Sequence, residues 1–191
     1  NRLRSVSYGA MDTHQQNDSS DGRARQIPFY RDWMLALIVA IVLASDQITK
    51  AIVRAKLSLG ESWPAEGIFR FTHGTNTGSA FGLFQDQTFL LTIASVVAIG
   101  FIIYFYRSQT ESKLVTKMTI GLLLAGAIGN LIDRLVAGRV TDFIDVGAWP
   151  IFNLADSSIV VGMTLMIATL LLTPEESKEP DPLQATGEQD S

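Results

Sequence analysis

The chain has 191 residues, of which 47% are hydrophobic and 18% charged, and its formal charge is -4. That balance gives no reason to expect nucleic acid as a partner, and the lack of cysteine excludes disulfides, thiol catalysis and a thiolate metal site. The two histidines, His14 and His73, are too far apart for a helical zinc motif. Chemistry here must use carboxylates, hydroxyls, amides, lysine or arginine, and no metal or cofactor is expected.

Residues 1–30 are polar and unperiodic and read as a disordered cytoplasmic extension. No apolar core of ~7–15 residues follows the early arginines, so a cleavable signal peptide is not expected. After them the apolar residues cluster. A hydrocarbon core of ~30 Å needs ~20 apolar helical residues, and four segments approach that length: 33–53, 88–106, 114–132 and 154–173. The second has no charge and no polar face for water, which argues against a soluble four-helix protein. The tail 174–191 is acidic, contains prolines and reads as disordered.

Four spans put both termini on one side. Lys and Arg near the spans number seven on that side (Arg23, Arg25, Arg31, Arg107, Lys113, Lys117, Lys178) and six on the other (Lys50, Arg54, Lys56, Arg70, Arg134, Arg139). The small excess leans towards termini inside. The far-side connections are rich in aromatics and glycine; "GIFRFTH" at 67–73 and residues 140–146 read as short strands. Trp63 and Trp149 suit an interfacial belt. The expected architecture is an all-α membrane protein, a four-transmembrane-helix bundle over 31–173 with a small β-rich extracytoplasmic platform.

The conspicuous polar residues fall at one depth. Asp46 and Lys50 share a face near the outer end of the first span. Gly126, Asn130 and Asp133 share one on the third, followed by Arg134, and Asn153 and Asp156 open the fourth. Asp142 and Asp145 lie in the connection between the last two helices, and no comparable set is evident at the inner end. Each has an ordinary structural explanation. Asp46–Lys50 reads as an ion pair, Asp133–Arg134 as snorkelling anchors, Asp156 as a partner of the helix dipole, and Asn130 and Asn153 as helix glue. The glycines at 126 and 129 read as aids to close packing. Ionisable groups in a span are costly and face the bundle interior or a wet cavity, and several unrelated accidents at one depth make a poor explanation. Two acids in one site cannot both ionise comfortably, so one holds a proton while the other accepts one. Such a pair can activate water and protonate a leaving amine. Asp142 and Asp156 are the candidates, if the segment between them folds back.

Five stretches resemble the bacterial lipoprotein signal peptidases (signal peptidase II): "DQITK" (46–50), "NTGSAF" (76–81), "GNLIDR" (129–134), "VTDF" (140–143) and "FNLAD" (152–156). The resemblance implies a multi-pass protein of the bacterial inner membrane, termini cytoplasmic, with its active site near the outer face. It implies aspartic cleavage of prolipoprotein signal peptides just before a cysteine carrying diacylglycerol. Asp142 and Asp156 match the catalytic positions. Asp46, Lys50, Asn76, Gly78, Ala80, Gly129, Asn130, Asp133, Arg134, Asn153 and Ala155 match positions that shape the site and bind substrate. The expected partners are diacylglyceryl prolipoprotein signal peptides and membrane lipids, with the protein itself a monomer. Two rivals stand beside this reading: a carboxylate-lined ion or proton transporter, and a Ser/Lys peptidase pairing Lys50 with Ser157 or Ser158.

Overall fold

Each apolar segment forms one continuous helix, and the far-side connections supply a small sheet. The computed structural model describes residues 32–78, 87–108 and 113–172. Its elements run α1 (Trp33–Lys56), β1 (Ser62–Trp63), β2 (Arg70–Asn76), α2 (Thr88–Ser108), α3 (Leu114–Ala137), β3 (Val140–Asp145) and α4 (Leu154–Leu172). All four helices are long and apolar enough to cross a membrane. The expected extension at 1–30, the tail at 174–191 and Ala80 lie outside the described residues.

Helix α3 is the centre of the bundle and packs against the other three. Half of its most apolar stretch is buried, whereas none of the corresponding stretch of α2 is. Glycine makes that central place accessible. A Cβ at Gly126 would stand 2.5 Å from the Ala155 carbonyl oxygen, so any side chain there drives α4 away. Helix α3 runs past the expected Ile132 to Ala137 and stops where Gly138 takes a left-handed φ of 69°.

At the end of the bundle away from the sheet, Asp32 caps α1 by accepting from the Leu35 N–H. Its Oδ2 also accepts from the Tyr106 hydroxyl at 2.5 Å and pairs with Lys117 Nζ at 2.8 Å. This polar set joins α1, α2 and α3, and corrects the expectation that the inner end holds none.

The sheet is antiparallel in the order β1-β2-β3. Strand β2 occupies Arg70–Asn76 rather than 67–73. Gly67, at φ 133°, lies outside the pairing, which begins with Arg70 opposite Asp145 and continues to Asn76 opposite Val140. The chain after β3 doubles back: Ile144 N–H donates to the Phe152 carbonyl at 2.7 Å, and Phe152 N–H returns a bond to Ile144 at 3.1 Å. That return sets the first turn of α4 beside the middle of β3. Asp142 and Asp145 are thus strand residues, not part of an open loop.

Candidate active site

Helix α4 starts with a reciprocal cap. The Asp156 N–H donates to Asn153 Oδ1 at 2.9 Å, and Asp156 Oδ2 accepts from the Asn153 N–H at 3.2 Å. This is capping-box geometry, with an amide and an acid in place of the commoner hydroxyl and longer acid. The Ala155 N–H donates across to Asp46 Oδ1 at 2.9 Å. Asp46 Oδ2 occupies the space left by the missing side chain of Gly129, where a Cβ would stand 2.7 Å from it. Two first-turn donors of α4 are therefore satisfied by side chains, one from α4's own cap and one from α1.

Lys50 is 0% exposed. Its ammonium pairs with Asp46 at 2.9 Å and Asp133 at 3.1 Å, and donates to Asn130 Oδ1 at 3.0 Å. A buried cation with two carboxylates and an amide oxygen has its hydrogen bonds met. Because Asn130 Oδ1 faces this ammonium, Asn130 Nδ2 points the other way and donates to Asp156 Oδ1 at 2.7 Å. Asn153 Nδ2 donates to Asp142 Oδ1 at 2.6 Å and reaches Asn130 Oδ1 at 3.2 Å. Asp142 and Asp156 are thereby linked through a pair of amides. Neither acid has an ion-pair partner among the described residues.

Asp133 holds the strand that carries Asp142. Its Oδ2 accepts from the Thr141 N–H at 3.1 Å, and Arg54 donates to Thr141 Oγ1 at 3.0 Å. Gln47, absent from the sequence-based set, reaches Asp46 Oδ2 at 3.1 Å and the Gly129 carbonyl at 3.2 Å. The available signal was a second polar residue beside Asp46 in an apolar span. Asp145 bonds Arg70, Thr72 and the Gly147 N–H. That backbone donor first, with Thr72 and Arg70, holds its carboxyl below the usual range.

Asp142 and Asp156 open onto one cavity of about 910 Å³. Asn76, Gly78 and Arg134 lie on its polar side, while Trp149, Ile151, Phe152, Ile159, Val160 and Val161 give it an apolar wall. Asn76 Oδ1 accepts from the Gly78 N–H at 2.9 Å, and its side chain also bonds Asp142. Asp142 is 4% exposed. Burial first, and then the facing Asp156 carboxylate, push its pKa up to about 7. Asn130, Asp133, Asn153, Asp46, Lys50 and Ala155 stand behind the two acids. Among the described residues, no group of His, Cys, Asp or Glu is placed to hold a metal ion.

The serines lie differently. Ser157 lines the cavity, and its Oγ donates back to the Asn153 carbonyl at 2.9 Å. Ser158 Oγ is buried and bonds the Ala155 and Leu122 carbonyls. Neither is among the partners of Lys50.

The sequence pattern of the family described as Signal peptidase (SPase) II matches residues 38–172. The lipoprotein signal peptidase of Halothermothrix orenii is 41% identical over 138 residues, covering 72% of this chain and 94% of that protein. Its counterpart in Desulforapulum autotrophicum is 42% identical over 144 residues, covering 70% and 88%. Two solved structures described as a bacterial membrane enzyme superpose with TM-scores of 0.72 and 0.69, each at 33% identity. They cover 79% and 75% of this chain, and 95% and 96% of theirs.

Proposed function

The chain belongs to the signal peptidase II family of peptidases, and on that premise we propose that it is an intramembrane aspartic endopeptidase. It removes signal peptides from diacylglyceryl-modified prolipoproteins, cutting just before the lipidated cysteine. The observation that carries this reading is the pair Asp142 and Asp156, joined by the Asn130–Asn153 amides and open to one half-apolar cavity.

Asp142, the more buried acid, holds the proton near neutrality, and Asp156 is the carboxylate. A water lodged between them gives a proton to Asp156 as its oxygen attacks the scissile carbonyl. Asp142 protonates the carbonyl oxygen, forming a neutral tetrahedral diol. Asp156 then passes its proton to the leaving amine while Asp142 recovers one from the diol, so the pair ends as it began. Arg134 and the Asn76–Gly78 turn lie where an extended peptide needs polar partners, and Val160 and Val161 face the bilayer, from which a signal helix and acyl chains arrive.

We assign the peptidase unit to 31–173, acting as a monomer with cytoplasmic termini and the cavity at the outer face, in keeping with the slight basic excess on the side of the termini. The transporter reading fits less well, because the acids gather at the sheet end rather than along a path through the bundle.

The test is reconstitution with two precursors, one carrying diacylglycerol on its cysteine and one without. Cleavage of the lipidated precursor alone, with the cysteine as the new N-terminus, is the expected result. Equal cleavage of both overturns the substrate assignment.

A further inference from the structure

A second cavity lies between α1 and the sheet. It has a volume of about 310 Å³ and is lined by Thr49, Ile52, Val53 and Lys56 of α1 together with Trp63, Phe71 and Phe143. Phe143 follows Asp142 directly in β3, so the two hollows meet the same strand at neighbouring residues.

The lining is apolar throughout, even though Lys56 contributes to it. The lysine must therefore lay its methylene stem along the wall and carry its ammonium to the rim. Lys56 has no hydrogen-bond or ion-pair partner among the described residues, whereas Arg54 is held by Thr141 and Arg70 by Asp145. Trp63 is exposed beside the cleft, as an interfacial aromatic would be. Ile48 and Ile52 are exposed on α1 and continue the apolar surface from the cleft into the lipid-facing side of the helix.

We propose that this cleft binds one bilayer phospholipid, with an acyl chain against Val53, Phe71 and Phe143 and the phosphate at Lys56. The reasons are chemical. An apolar hollow offers water no hydrogen-bond partners, and this one is continuous with a surface already covered by lipid. Thr49 and Lys56 are seven residues apart, about 10 Å along the helix axis. A lipid of the adjacent leaflet can thus meet the cation with its phosphate and pass the depth of the cleft with its upper chain. The bound lipid touches the strand that carries Asp142, at the adjoining Phe143. The proposal does not depend on which acid performs catalysis.

The experiment uses the full chain in proteoliposomes containing a phosphatidylglycerol whose acyl chain bears a photoreactive diazirine. Labelled positions are mapped by peptide mass spectrometry. Labelling at Val53, Phe71 and Phe143 is expected, alongside ordinary labelling of the exposed residues of α2. Thr49→Trp fills the cleft, and Lys56→Glu reverses the charge at its rim while keeping a shorter methylene stem on the wall. Each should lower the cleft labelling by about tenfold, equivalent to ~1.4 kcal/mol of binding, and leave the α2 labelling unchanged. Should Thr49→Trp fail to fold, the exposed Lys56→Glu variant decides the question alone. Absence of cleft labelling, or labelling indifferent to Lys56→Glu, overturns the proposal. So does displacement of the label by a diacylglyceryl precursor, which would give the cleft to the substrate instead.

Discussion

The two ends of the bundle both bury charge, and they do so to different ends. Away from the sheet, Asp32 faces Lys117, Tyr106 and a backbone N–H, so its charge has a cation beside it. At the sheet end Lys50 is matched by Asp46 and Asp133, but Asp142 and Asp156 are left with amides for company and a cavity in front of them. A matched pair of charges clamps helices together. Under the proposed function, the surplus acids held open by amides keep a proton to exchange. On that proposal the difference separates scaffold from chemistry.

The largest effects belong to the surplus acids. Asp142→Asn and Asp156→Asn should each reduce prolipoprotein cleavage by ~10²–10⁴-fold while folded protein remains in the membrane. The double variant should be little worse than either single one, because the acids act as a unit. Substantial turnover by either variant rules out the pair. Next comes Lys50→Met, which strands Asp46 and Asp133 and should cost ~3–5 kcal/mol in a detergent unfolding titration. Adding Asp46→Asn and Asp133→Asn to that variant should restore part of the loss. If stability stays low, the cation's packing rather than its charge was what mattered.

At the opposite end, Asp32→Ala removes both a cap and a buried acceptor and should cost about 2 kcal/mol. Cleavage per folded molecule should be unchanged. A drop in turnover without a drop in melting temperature would break the distinction between the two ends.

How much of this could be read from the chain follows from locality. The four spans were legible because each is a continuous apolar run, and the common depth of Asp142 and Asp156 because one lies in the short connection before the fourth run and the other at its start. The position of β2 was not legible: its register is set by β3, some 70 residues away in sequence, and the start at Arg70 reflects its partner Asp145. Asp32, Tyr106 and Lys117 each resemble an ordinary interfacial residue, and only the packing of three helices unites them. The amide orientations of Asn130 and Asn153 were equally hidden. They are imposed by an ammonium on α1 and an N–H on α4.

The pH dependence sharpens the contrast further. Asp142 must hold its proton for the proposed step, and its pKa stands at about 7 against an ordinary 3.8. Raising the pH past about 7 should lower kcat/KM by about tenfold per unit. Stability should change in the same direction. Between 3.8 and about 7 the folded state keeps a proton that the unfolded chain gives up, so stability falls as pH rises through that window. Asp142→Asn should flatten this slope in melting temperature, whereas Asp32→Ala should leave it in place.

The smallest expected effect is at Ser157, and it decides between two chemistries. The residue lines the cavity that Asp142 and Asp156 open onto, which is where a nucleophile would be wanted. A nucleophilic serine needs a base to take its proton, yet the hydroxyl hydrogen is committed to the Asn153 carbonyl one turn back. The only lysine near the acids, Lys50, is fully buried and saturated by Asp46, Asp133 and Asn130 among the described residues. Ser157→Ala should therefore keep cleavage within about twofold of the parent, a change of less than ~0.5 kcal/mol. A dead but folded Ser157→Ala protein would move the chemistry from the two acids to the serine.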